Sequence, residues 1–123
     1  MKRTRHTLNG KLLGVFYETE SGHRIYLGHR QLRHLDRHNW GWSIDTRTLR
    51  RCQEEGFEWV GIICRRRGAK HIWLSHVSDW FDPHKSFPTR HKSGMPERGI
   101  RLKQFRIDPA NDAGKIDKEF SIR

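Results

Sequence analysis

The stretch Phe57-Glu-Trp-Val-Gly-Ile-Ile-Cys64 is the most strand-like part of the chain, and the predicted fold is built outward from it. Its apolar residues fall on both faces, which is typical of a strand in the interior of a sheet. Arg65-Arg-Arg-Gly-Ala69 then turns the chain, and residues 70–75 return as a partner strand. We therefore expect these two strands to form the centre of a sheet.

A second strand pair is predicted nearer the N-terminus. Residues 12–17 and 25–27 are apolar and β-prone, and the segment between them carries Ser21-Gly22, which marks a turn. This pattern predicts a β-hairpin. Residues 1–10 are polar and basic, so we expect a flexible basic arm before it.

Two short helices are predicted between the hairpin and the central strand. In residues 29–38 the two Leu are three positions apart, as on one face of a helix, and Arg and His fill most other positions. Residues 46–55 form the second helix, for which Ser43 or Asp45 can be the N-cap and Gly56 the end.

The C-terminal third is predicted to be less regular. Residues 83–99 are rich in Pro, Gly, Ser, His and Lys, which favours a long loop. Residues 100–107 are expected to be a last strand and residues 108–123 a tail.

The resulting prediction is a small single α+β domain, residues 11–107. Its antiparallel sheet has four to five strands, with two short helices packed on one face.

The composition indicates a folded, strongly basic protein. Lys and Arg number 25 against 14 Asp and Glu, a formal net charge of +11, while five Trp and six Phe supply apolar area for a core. No apolar run is long enough for a membrane span or a secretory signal, so neither is expected. Cys52 and Cys64 are too few for a disulfide scaffold and indicate an intracellular, cytoplasmic protein.

The basic residues predict a nucleic-acid interface. Arg predominates, and its planar guanidinium donates two hydrogen bonds to one phosphate. Two Trp between the predicted helices could stack on unpaired bases. The predicted contact residues are Arg30, Arg33, Arg37, Trp40, Trp42, Arg47, Arg50, Arg51, Arg65, Arg66, Arg67 and Lys70. The expected function is therefore binding of DNA or RNA through the phosphate backbone.

No cofactor or metal is expected. His34 and His38 have an i, i+4 spacing that can share a zinc ion, but no third ligand is evident near them in sequence. The chain also lacks a glycine-rich phosphate loop, a nucleophile elbow and a dinucleotide-binding fingerprint.

A nuclease is the alternative in the enzyme class. Gly14-Val-Phe16 and Tyr26-Leu-Gly28, followed by a basic segment, resemble the GIY-YIG nuclease superfamily. That resemblance implies a hairpin carrying both tripeptides and a helix carrying a catalytic Arg, here Arg33 or Arg37. Phe16 stands where the first motif of the family has Tyr.

Two further functions remain open from sequence. A metal-independent ribonuclease would need only His as acid and base with Arg on the phosphate, and nothing in the spacing selects a pair. The other is a non-enzymatic phage or mobile-element protein that binds a protein or ribonucleoprotein partner.

Overall fold

The computed structural model describes residues 2–31, 41–66, 69–101 and 106–108. They form nine β-strands, one α-helix and one 3-10 helix. The elements in chain order are β1 (Lys2–Leu8), β2 (Lys11–Glu18), β3 (Arg24–Gln31), β4 (Gly41–Asp45), α1 (Thr46–Glu55), β5 (Trp59–Arg66), β6 (Ala69–His76), the 3-10 helix (Val77–Trp80), β7 (Ser86–Arg90), β8 (Pro96–Arg101) and β9 (Arg106–Asp108). No helix in these ranges is long and apolar enough to span a membrane.

The larger sheet has six strands in the order β1-β2-β3-β5-β6-β9. The predicted hairpin is confirmed as β2 and β3, and the predicted central pair is confirmed as β5 and β6. β5 lies between β3 and β6, in the interior of the sheet, as its two apolar faces require. β3 and β5 are parallel, and β4 and α1 lie in the crossover connection that a parallel pair needs.

The smaller sheet has three antiparallel strands in the order β4-β8-β7. β7 contains Pro88, which an outer strand tolerates because it needs fewer backbone donors. The Thr89 hydroxyl donates to the Ser43 hydroxyl over 3.1 Å and so ties the two outer strands together across β8.

Helix α1 begins and ends at the predicted residues because both ends are locally encoded. The Asp45 carboxylate accepts a hydrogen bond from the Thr48 backbone N–H at 2.8 Å, and Asp45 is the N-cap. Gly56 has φ 76° and ψ 25°, the left-handed conformation that glycine adopts without strain, and its N–H donates to the Cys52 carbonyl.

The main core lies between one face of the larger sheet, α1, the 3-10 helix and the smaller sheet. Its members include Phe16, Tyr26, Leu49, Trp80 and Ile100. The other face of the larger sheet carries a second cluster of buried residues. We call it the second buried cluster, and it consists of Val15, Tyr17, Ile25, Leu27, Ile72 and Leu74. Both faces of the sheet are therefore buried.

The predicted antiparallel sheet of four to five strands with two helices on one face is wrong. The larger sheet is mixed, a second sheet is present, and α1 is the one α-helix in the described ranges. Within the predicted first helix, residues 29–31 are the end of β3, because each pairs with a residue of β5, and residues 32–40 lie outside the described residues. The coarser expectation of a fold with both helix and sheet holds.

Two segments predicted to be irregular are strands. Residues 2–8, assigned to the flexible arm, form β1 on the larger sheet, and residues 86–90 and 96–101 form β7 and β8. β1 pairs with the next strand, β2, across the tight turn Asn9-Gly10, where both residues have positive φ, and β7 pairs with the next strand, β8. Pairing with a neighbouring strand, rather than apolar alternation, makes these segments strands. Residues 109–123, the rest of the predicted tail, lie outside the described residues.

Candidate nucleic-acid interface

The outer face of α1 carries three predicted contact residues. Thr48, Leu49 and Cys52 are buried on the inner face, which leaves the neighbouring positions exposed. These exposed cations are Arg47, Arg50 and Arg51. Positions three and four apart are neighbours on a helix surface, so the three guanidinium groups share one side of α1.

The turn between β7 and β8 adds cations at the same end of the smaller sheet. Asp45, at the start of α1, lies opposite Glu97 in the antiparallel register of β4 and β8. The Thr46 hydroxyl donates to the Pro96 carbonyl at 3.1 Å. The exposed residues of this turn include Arg90, His91 and Lys92. We call Arg47, Arg50, Arg51, Arg90 and Lys92 the basic surface.

Arg51 is held in place at the inner edge of the basic surface. Its Nε donates to a Glu55 carboxylate oxygen at 2.6 Å, and its guanidinium carbon lies 4.4 Å from the centre of the Phe16 ring. Glu55 engages only the Nε side of the guanidinium, and no described residue accepts from its terminal amines. Those two amines are available to a phosphate.

His6 of β1 lies beside Arg51 on the same Phe16 ring. The His6 and Phe16 ring centres are 5.5 Å apart, and His6 Nδ1 is 3.0 Å from the Tyr26 hydroxyl. Burial of the ring lowers the pKa of His6, the Arg51 charge lowers it further, and the Asp45 charge raises it. His6 is therefore neutral at pH 7 and combines a polar contact with proximity to two charged side chains of opposite sign.

The two tripeptides of the GIY-YIG resemblance face each other in the hairpin. Gly14 pairs with Gly28 and Phe16 with Tyr26. Arg33 and Arg37, the expected catalytic positions, lie outside the described residues. The nuclease resemblance stays a prediction.

Four predicted contact residues lie at one end of three adjacent strands of the larger sheet. Arg30 pairs with Cys64 and Arg65 with both Gln31 and Lys70, while Arg66 pairs with Ala69. The sheet thus brings Arg30, Arg65, Arg66 and Lys70 to one end of β3, β5 and β6. Trp42 is in β4, paired with Ile100, and Arg33, Arg37, Trp40 and Arg67 lie outside the described residues.

Several other cations are neutralised by carboxylates. Arg24 and Lys2 both pair with Glu18, at 2.9 and 3.5 Å, and Lys85 pairs with Asp79 at 3.0 Å. In contrast, no described carboxylate lies within ion-pair distance of Arg47 or Arg50. Arg47 and Arg50 therefore lie exposed and next to each other on α1 without an ion-pair partner among the described carboxylates, while Arg51 is paired with Glu55.

The described His, Cys and acidic residues do not form a metal-binding group. The described ranges contain no group of three His, Cys, Asp or Glu placed to hold a metal ion. His34 and His38 lie outside those ranges. Burial raises the pKa of Cys52 to about 12, so its thiol is protonated at pH 7.

The contact residues predicted from sequence include the α1 arginines but not His6, Arg90 or Lys92, although Arg90 and Lys92 belong to a stretch that is recognisably basic in the sequence. The arginines of α1 could be placed because helix periodicity fixes which side is exposed. His6 reaches the site only through the β1–β2 register, which shifts between His6 and Thr7. No local signal in the sequence reports such a shift.

Comparison with protein-family models, with curated proteins and with solved structures gives no match.

Proposed function

We propose that this protein binds nucleic acid by contacting the phosphate backbone through the basic surface. The observation that carries the proposal is the side-by-side exposure of Arg47 and Arg50 on α1 with no described carboxylate paired to either. The net charge of +11 adds a long-range attraction to any polyanion. Contacts of this kind hold the backbone without reading sequence.

Binding is expected to weaken steeply with salt. If the five cations of the basic surface each neutralise one phosphate, log K should fall against log salt concentration with a slope of about −4.5 on duplex and about −3.5 on single strands. Fluorescence anisotropy of labelled DNA and RNA across a salt series measures the slope. A slope near zero would remove phosphate contacts from the mechanism.

Reversing two charges on α1 should lower the affinity and make its salt dependence shallower. In the Arg47→Glu/Arg50→Glu variant, two phosphate contacts are lost, so the slope should become shallower by about 1.8 on duplex. Both side chains are exposed, and the fold should therefore persist. Circular dichroism verifies the fold before anisotropy is measured.

The matched control is Arg3→Glu/Arg5→Glu, which changes the net charge by the same amount. Arg3 and Arg5 pair with Tyr17 and Val15, which belong to the second buried cluster, so they lie on the opposite face of the larger sheet from α1. This control should retain most of the affinity. If it weakens binding as much as the α1 variant, the interface is not where we place it.

Binding of a protein or ribonucleoprotein is a separate outcome. Purification of a protein complex that survives nuclease treatment, with no binding to free DNA or RNA, would favour that function over the one proposed.

A further inference from the structure

A pair of hydrogen-bonded titratable side chains lies next to the basic surface and is not needed for phosphate binding. His6 Nδ1 and the Tyr26 hydroxyl are 3.0 Å apart, on β1 and β3, across the intervening strand β2. Tyr26 is only 2% exposed, whereas His6 is partly exposed. The pair therefore has one buried anchor and one ring that reaches the surface.

In one tautomer of His6 this contact leaves the second ring nitrogen free to act as a base. When Nδ1 carries the ring proton, it donates to the Tyr26 hydroxyl oxygen and Nε2 holds an unshared electron pair. Nε2 has no hydrogen-bond partner among the described residues. A neutral imidazole with a fixed orientation and a free Nε2 can accept a proton from a bound hydroxyl group.

Cleavage at phosphorus needs a cation next to the phosphate as well as a general base. Arg51 can supply that cation, because negative charge develops on the phosphate oxygens during the reaction. His6 and Arg51 both contact the Phe16 ring, and the Arg51 charge acts on His6 strongly enough to lower its pKa. Glu55 holds Arg51 through Nε, so the terminal amines can donate to two phosphate oxygens.

We propose that this site cleaves RNA without a metal ion, with His6 as general base and Arg51 as phosphate ligand. The inference rests on the proposed nucleic-acid binding and narrows the substrate to strands with a 2′-hydroxyl group. DNA lacks the nucleophile and would be bound but not cut.

The reaction is an internal transfer at phosphorus. His6 Nε2 takes the proton of the 2′-hydroxyl, whose oxygen forms a bond to the adjacent phosphorus while the bond from phosphorus to the 5′-oxygen breaks. The proton returns from the imidazolium through water to the departing 5′-oxygen. The products are a 2′,3′-cyclic phosphate and a 5′-hydroxyl end, and no oxidant, reductant or metal is consumed.

Tyr26 is a positioning residue in this scheme because its hydroxyl contacts His6, the general base, and does not contact the RNA. Tyr26→Phe removes the hydroxyl that holds Nδ1 and should lower the rate of cleavage while leaving RNA affinity unchanged. It should also shift the acid limb of the pH–rate profile, which tracks the His6 pKa. In the wild-type protein that limb should lie below pH 6.5, since burial and Arg51 outweigh Asp45 in setting the pKa.

The test is incubation of the purified protein with a labelled RNA strand in the presence of a chelator. We expect wild-type protein to yield cyclic-phosphate ends, and a strand with 2′-deoxy sugars to remain intact. His6→Gln should reduce cleavage by about 100-fold or more, the usual contribution of a general base, with anisotropy showing unchanged RNA binding. The Arg3→Glu/Arg5→Glu control should cleave like the wild type.

Each outcome decides between the two proposals. RNA that is bound by wild-type protein and left uncut overturns the cleavage proposal and leaves the binding function in place. Cleavage that persists in His6→Gln at the wild-type rate also overturns it, because the activity then resides elsewhere or in a contaminant. Failure to bind either RNA or DNA overturns the proposed function itself.

Discussion

Trp80→Ala is expected to lower the free energy of unfolding by about 3–5 kcal/mol, the usual cost of truncating a buried tryptophan. Trp80 is fully buried at the point where the 3-10 helix meets both sheets. Its indole Nε1 donates to the Val60 carbonyl at 3.3 Å, so truncation opens a cavity and leaves that carbonyl without its side-chain donor. Domains of this size are stable by about 5–15 kcal/mol, so the loss is a large fraction of the total.

Urea unfolding followed by circular dichroism measures this loss. Trp80→Phe should cost less than the Ala variant, because it keeps most of the apolar volume and loses the hydrogen bond to Val60. Leu8→Ala is the control, since Leu8 is 50% exposed and should change stability by less than about 0.5 kcal/mol. A Trp80→Ala protein as stable as the Leu8→Ala protein would refute the central position of Trp80 in the core.

Gly14→Ala is expected to destabilise the fold by about 1–3 kcal/mol and to disturb the His6–Tyr26 contact. A Cβ atom at position 14 would meet the Tyr26 hydroxyl and lie 2.7 Å from both the Tyr26 Cζ and the Leu27 carbonyl oxygen. The Tyr26 ring is buried and the carbonyl is backbone, so neither can move away without repacking. The proposed RNA cleavage should fall together with stability, because the ring that holds His6 is displaced.

The partner glycine gives a matched control for that substitution. Gly28 pairs directly with Gly14, yet the nearest atom to a Cβ there is the Gly61 carbonyl oxygen at 3.8 Å, an ordinary contact. Gly28→Ala should therefore be neutral, or stabilising by up to about 1 kcal/mol through the lower entropy of the unfolded chain. Thermal unfolding of both variants checks the contrast, and equal destabilisation would contradict it.

Locally encoded features could be predicted from the sequence. Helix α1 has both of its caps, Asp45 and Gly56, in adjacent sequence, and its bounds were predicted correctly. The hairpin β2–β3 and the pair β5–β6 combine β-prone runs with nearby turns, so each was also predictable.

Features that depend on distant segments could not be predicted. The parallel pairing of β3 with β5 joins two strand pairs that are each antiparallel within themselves, and no residue near either strand signals it. β7 and β8 are strands because β4 provides the third member of their sheet. For the same reason the sequence showed Arg47, Arg50 and Arg51 as one cluster but not that His6 lies near Arg51.

The parallel contact between β3 and β5 also bears on the order of folding. The β2–β3 and β5–β6 pairs can each close over a short loop, whereas joining them requires the long intervening connection to be gathered first. We expect the docking of the two preformed pairs to limit the rate, since chains with many contacts distant in sequence fold slowly. The contacts of Tyr26 and Phe16 with residues from the second half of the chain would then form last, so the proposed RNA-binding surface would be completed only at the end of folding.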